Sequence, residues 1–192
     1  MIETNSNVRS LSLSNDDKTY LKDLVQWSIT TYFSGSIELD ESSVPRPENP
    51  LLEKELGAFV TLTKNGSLRG CIGNVIGQGQ LYLTIARMAR AAAFEDPRFP
   101  QVTKTEFSDV SVEISIMGSL SLCPDPEQIE IGRHGLIMQR GHNSGLLLPQ
   151  VPVEWEWDRK TFLEQTCIKA GLRPDMWTDP ATKIYWFEAY VF

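Results

Sequence analysis

The sequence is short of the residues from which metal and redox centres are built. It has two histidines, His134 and His142, and three cysteines, Cys71, Cys123 and Cys167, in 192 residues. No two cysteines show C-x-x-C spacing and no histidine pair falls at i, i+4, so no metal set is expected. An odd cysteine number without paired spacing reads as reduced thiols without structural disulfides, hence a cytoplasmic protein. Positive charge is also scarce. Eighteen Lys and Arg face 25 Asp and Glu, a net charge of −7. That excludes a general binder of nucleic acid or of anionic membranes. No apolar run approaches the roughly 20 residues of a membrane span. The stretch Met1–Asn15 has no apolar core of the kind a secretory signal carries. Gly77-x-Gly79 lacks the third glycine of a dinucleotide fingerprint, since Tyr82 stands there, and no Gly-Lys-Ser/Thr follows it. No cofactor is therefore implied.

What is present suits a globular chain. A hydrophobic content of 41% supports a core and 22% charge is ordinary. The length fits one domain, here 14–192, with room for a smaller lobe, after a loose Ser/Asn-rich segment over 1–13. Charge is uneven. Between Arg69 and Lys104 five basic residues outweigh two acidic ones. A small anionic ligand near this segment is one reading, and arginines solvated on a helix face are the other.

Capping and periodicity place the elements. Ser14 precedes Asp16 and Asp17 and starts a helix that ends near Phe33–Gly35. Gly57–Thr63, the Asn65-Gly66 pair and Leu68–Gly73 read as strand, tight turn and strand. Gly73, Gly77 and Gly79 feed a helix over 80–95, an arrangement that serves either as an anion cradle or as a plain turn. Residues 109–120 alternate as a strand, with Val110, Val112, Ile114 and Ile116 on one face and Ser111, Glu113 and Ser115 on the other. Ile129–Ile131 reads as a short strand, and His134–Arg140 with Gly145–Leu148 as a hairpin. Asp158 caps a helix to about Ala170, closed by Gly171. A last strand runs over 183–192. Helices alternating with hairpins indicate α+β with a mainly antiparallel sheet flanked by helices.

Four residues carry chemistry. Strict alternation would put Arg69 and Cys71 on one strand face, where a cation favours a thiolate. Gly70 and Gly73 clear space for a ligand or another backbone. Cys71 is equally readable as a small buried hydrophobe. Glu113 is a carboxylate for acid–base work if its face borders a cavity, and a solvated residue otherwise. His134, beside Arg133, would serve as base for Cys71 if the two meet. Glu95 and Arg98 would pair locally, or one of them would line a pocket.

The blocks Leu68-Arg69-Gly70-Cys71-Ile72-Gly73, Phe94–Pro100, Gly132–Leu136 and Gly145–Val151 followed by Trp157, Phe162-Leu163 and Lys169–Leu172 occur in this order. Together they resemble the signature blocks of the AMMECR1 domain family. The resemblance implies an α+β fold with a larger and a smaller lobe. It also implies a modification pathway in the company of Memo-like and radical-SAM proteins. Two functions are then in view. One is an enzyme using Cys71, His134 and Glu113 on a small anionic substrate held by Arg69, Gly70, Gly73, Glu95 and Arg98. The other is a binding module using the same cleft without turnover.

Overall fold

The computed structural model describes residues 13–192. The loose segment expected over 1–13 lies outside them except at Leu13, which is buried. The described residues form two compact units. The larger runs to Met117 and includes Tyr190–Phe192, and the smaller is Gly118–Ala189.

The larger unit starts with α1, Asn15–Phe33. Ser14 caps it as expected: its hydroxyl accepts from Asp17 N–H while the Asp17 carboxylate accepts from Ser14 N–H. Strands β1 (Ala58–Lys64) and β2 (Ser67–Asn74) are the hairpin about Asn65-Gly66, and α2 is Leu81–Phe94. The strand expected over 109–120 is β3, Val110–Met117, so it is shorter at its C-terminal end. Pairing is antiparallel in the order β2-β1-β3, with Phe192 bonded reciprocally to Ile114 beyond β3. One sheet face buries Ala58, Val60, Leu62, Ile114 and Ile116 with both helices. Ala86, Ala89, Ala92 and Ala93 keep α2 slim, and the Ser28 hydroxyl donates to the Ala86 carbonyl at 2.7 Å.

Arg90 of α2 is buried and has no carboxylate among its hydrogen-bond partners. Its guanidinium donates to the carbonyls of Ser28, Ser36 and Ile37 and to the Thr31 hydroxyl. Those groups belong to the last turns of α1 and the residues after it. Since α1 has no basic residue in its own last turn, Arg90 supplies the cation that a helix C-terminus favours.

The smaller unit contains β4 (Ser121–Leu122), β5 (His134–Arg140), β6 (Asn143–Leu147) and all but the end of β7 (Lys183–Val191), in the order β4-β7-β5-β6. Helix α4, Arg159–Lys169, is capped by Asp158 and closed by Gly171 at φ +72°, as the sequence indicated. It packs Phe162, Leu163 and Cys167 against Leu136 and Met138. One expectation is corrected. Ile129–Ile131 is not a strand: Ile129 is a buried anchor after a single turn, and the chain folds back so that His134 N–H reaches the Glu130 carbonyl. Gln150–Glu154, to which the sequence assigns no element, is a short helix, α3; Pro152 stands in its first turn, where a missing N–H is harmless. The α+β, mainly antiparallel architecture stands.

Three motif glycines are clearance positions. A Cβ at Gly70 would lie 2.1 Å from the Ala92 carbonyl oxygen, one at Gly145 2.3 Å from Ala170 N, and one at Gly135 inside the Phe187 ring. Gly70→Ala should therefore cost about 3 kcal/mol or more in urea denaturation, because backbone must move. Gly141→Ala, with nothing near its Cβ and only a positive φ, should cost about 1 kcal/mol.

Candidate functional site

The hexapeptide motif lies in β2, an edge strand. A two-residue turn begins the register, pairing Lys64 with Ser67 and Thr63 with Leu68. The register then shifts, so that Leu62 faces Gly70 and Thr61 faces Cys71. Arg69 is the extra residue of a bulge. The bulge breaks the simple alternation expected between Arg69 and Cys71. Arg69 is held by the carbonyls of Pro100 and Gln101 and by the Glu106 carboxylate at 2.7 Å. Lys64 adds a second ion pair to Glu106 at 3.1 Å.

Cys71 is held through its backbone. Its N–H donates to the Asp96 carboxylate at 2.9 Å, and its carbonyl accepts from Arg98 at 3.0 Å. Asp96 in turn takes the Arg98 Nε and Nη2 and the Arg98 backbone N–H. The stretch after α2 thus occupies the open edge of β2 much as a neighbouring strand would. Glu95 does not pair with Arg98: it is the exposed residue ending α2, and the partner of Arg98 is Asp96. Asp96 is buried, so its charge requires this partner. The hydrogen bonds from Arg98 hold its carboxyl far below the usual carboxylate range, against the opposing effect of burial. The Thr103 N–H and Arg69 pull Glu106 down to about 2. Arg98 is itself raised, first by Asp96 and to a smaller degree by Cys71.

Thr61 pairs with Cys71 on one side and with Glu113 on the other. Residues 71, 61 and 113 therefore form one row across β2, β1 and β3, on the face opposite Val60 and Leu62. The Thr61 hydroxyl donates to Cys71 Sγ at 3.3 Å. Two strand spacings put Cys71 and Glu113 about 10 Å apart at Cα. Cys71 is partly exposed and Glu113 exposed. On the same face, Gly73 lets the Phe59 ring sit beside it, and next to Phe59 the Ser115 hydroxyl is buried without a hydrogen-bond partner. The loop from Gly73 to Gly79 has a structural account. Gly77 packs against the Glu55 and Leu56 backbone, and Leu81 N–H at the start of α2 is taken by the Lys54 carbonyl.

His134 belongs to the smaller unit. It is buried, its ring lies 4.4 Å from the Trp186 ring at 33°, and its Nδ1 accepts from Glu130 N–H. Burial, then the neighbouring Arg133, lowers its pKa. Among the described residues no group of His, Cys, Asp and Glu is placed to hold a metal ion, and no helix is long and apolar enough to cross a membrane.

The AMMECR1 family profile matches residues 23–192. The chain belongs to the AMMECR1 family. It is 44% identical over 158 residues to a protein of Thermococcus onnurineus, covering 77% of each chain. It is 38% identical over 200 residues to one of Saccharolobus islandicus, covering 96% of this chain and 85% of the other. A crystal structure of the uncharacterised protein PH0010 from Pyrococcus horikoshii matches with a TM-score of 0.82 and 40% identity, over 90% of this chain and 88% of that one. The resemblance carried by the motif blocks thus identifies the family, and its expected α+β fold is the one observed.

Within this AMMECR1 domain two clasp carboxylates carry a pH dependence. Both have folded pKa values below their unfolded ones. Their contribution is complete above about pH 4.5 and is lost as pH falls toward 2, because the unfolded chain protonates first. Stability measured by denaturant titration should fall across that window, and Asp96→Asn with Glu106→Gln should flatten the slope. At neutral pH Asp96→Asn alone should cost about 2 kcal/mol, the scale of hydrogen bonds to a charged group.

Proposed function

We propose that the larger unit is a thiol-dependent enzyme acting on a small anionic substrate laid across β2, β1 and β3. Cys71 is the nucleophile: its thiol proton passes to solvent as the sulfur bonds an electrophilic carbon of the substrate, and the group displaced from that carbon leaves toward Glu113, which supplies it with a proton. The Thr61 hydroxyl donates to its sulfur and fixes the thiol's place in the row. Glu113, about 10 Å away along the same row, carries the proton for the far end of the substrate rather than for Cys71 itself. Arg98, partly exposed and anchored by Asp96, holds the anionic group. The observation that carries this reading is the row Cys71–Thr61–Glu113 on one sheet face with its hydroxyl-to-sulfur contact. His134 has no part in it. The Memo-like and radical-SAM proteins implied by the resemblance would supply or consume the substrate.

A binding module without turnover is the second reading. The close engagement of Asp96 and Arg98 with the backbone of Cys71 favours it, since such a clasp orders an edge strand whether or not chemistry follows.

Alkylation with iodoacetamide, resolved by peptide mass spectrometry on the folded chain, separates the two. The enzyme reading expects Cys71 to react while the buried Cys167 does not, and Thr61→Val to slow the reaction about fivefold, the worth of one hydrogen bond. A Cys71 that reacts only on unfolding removes the nucleophile and leaves the binding module.

A further inference from the structure

The smaller unit holds a cavity of about 570 Å³ that the thiol chemistry does not use. The volume is within the range of small-molecule sites. Its walls come from the chain before β5, from β4 and β7, and from the start of α4. At its centre His134 and Trp186 lie with ring centroids 4.4 Å apart. Their polar positions are fixed. His134 Nδ1 is occupied by the Glu130 N–H, so the neutral ring carries its proton on Nε2. Trp186 Nε1 donates to the Ser121 hydroxyl at 2.8 Å, leaving the Ser121 hydroxyl proton for another acceptor.

The charged groups of the wall decide the sign of the ligand. Three carboxylates, Glu127, Glu130 and Glu188, stand against two guanidiniums, Arg133 and Arg159. Arg133 is held between Glu130 and Glu188, each at 2.8 Å, and Arg159 is held by Glu127 and the Ile129 carbonyl. A phosphate or carboxylate would have to displace carboxylates already in place and would still meet one unbalanced negative charge. The indole and imidazole surfaces instead suit a flat ring, with Nε2–H and a hydroxyl as donors to its ring nitrogen or carbonyl.

We infer that the smaller unit carries a second binding site, for a planar heteroaromatic ring of nucleoside size that is neutral or cationic. It is seated at the Trp186–His134 pair. This goes beyond the thiol site and shares no residue with it. It also gives the Gly132–Leu136 block a reason to hold a histidine where a turn alone would accept other residues.

The test is a 15N NMR titration of the full chain with matched probes. Adenosine, cytidine and nicotinamide are the neutral members. AMP, CMP and nicotinate are their anionic counterparts. At least one neutral probe should give saturable shifts at the Trp186 indole N–H and at the Glu130 and His134 amides, and its anionic counterpart should bind about fivefold more weakly, the effect of one nearby like charge in water. His134→Gln should weaken the neutral probe about fivefold. Glu188→Gln, an exposed change that leaves the fold undisturbed, should close the gap between the neutral and anionic members. Cys71→Ala should leave the titration unchanged, so failure of the thiol reading leaves this one standing, and the reverse holds too. Absence of saturable shifts for every probe, an anionic probe that binds tighter than its neutral counterpart, or a gap unaffected by Glu188→Gln would each overturn the inference.

Discussion

One extra residue in β2 decides which side chains that strand presents on its open face. The Asn65-Gly66 turn on its own would set a two-residue hairpin register with Gly70 opposite Thr61. Cys71 would then point with Val60 and Leu62 into the core. The bulge at Arg69 moves the pairing by one, and a one-residue move in a strand exchanges its two faces. Gly70 then lies under α2, where only a missing side chain fits below the Ala92 carbonyl, and Cys71 joins Thr61 and Glu113 outside. A bulge in an edge strand needs an anchor, since half of its backbone groups lack a neighbouring strand. The segment from Asp96 to Glu106 provides it. Asp96 and Arg98 take the outer N–H and C=O of Cys71, while Pro100, Gln101 and Glu106 hold the Arg69 guanidinium.

Seen this way, the first two motif blocks are two halves of one contact. The glycines in the first remove Cβ atoms where α2 and Phe59 approach. The Asp-Pro-Arg of the second supplies the side chains that stand in for a missing strand. The remaining blocks follow the same logic in the smaller unit. Gly145 admits the end of α4, whose last carbonyl accepts from Asn143, and Gly135 admits the Phe187 ring. Most of each block therefore specifies packing. The block side chains that packing does not explain are few, chiefly Cys71 in one unit and His134 in the other.

Local signals were the legible part of the sequence. Ser14 and Asp158 announced their helices, Asn65-Gly66 its turn, and Val110–Ile116 its alternation, because each depends on neighbours within a few residues. The motif blocks gave the family and with it the fold class. Cys71 and Glu113 stand out in the sequence as candidates, but their shared row does not, since it follows from two strand registers and a bulge. Thr61 was overlooked for the same reason, although it sits near the position opposite Cys71 that a hairpin turn implies. Asp96 is not legible as an anchor, because nothing in its immediate neighbours indicates that it is buried against a strand 25 positions earlier. The two-residue β4 and the proline-containing α3 fall below the length at which periodicity carries information.

The polar residues of each unit divide into a buried, fixed set and an exposed one. A carboxylate buried beside a guanidinium, as Asp96 is beside Arg98, is costly to leave alone, because loss of the half-exposed Arg98 strands Asp96 in a poorly hydrated place. Such a pair fixes geometry and leaves little freedom. Thr61 and Glu113 stand on the open face, where substitution disturbs no buried partner of Cys71's backbone clasp. The clasp holds the backbone of Cys71, and the row beside it lies outside that clasp. The same separation recurs at the smaller unit's cavity. There His134 Nδ1 is committed to the Glu130 turn, and beside Trp186, Phe187 and Ile129 the wall carries mostly exposed charged side chains. In both places a side-chain atom held by a hydrogen bond stands next to exposed polar residues.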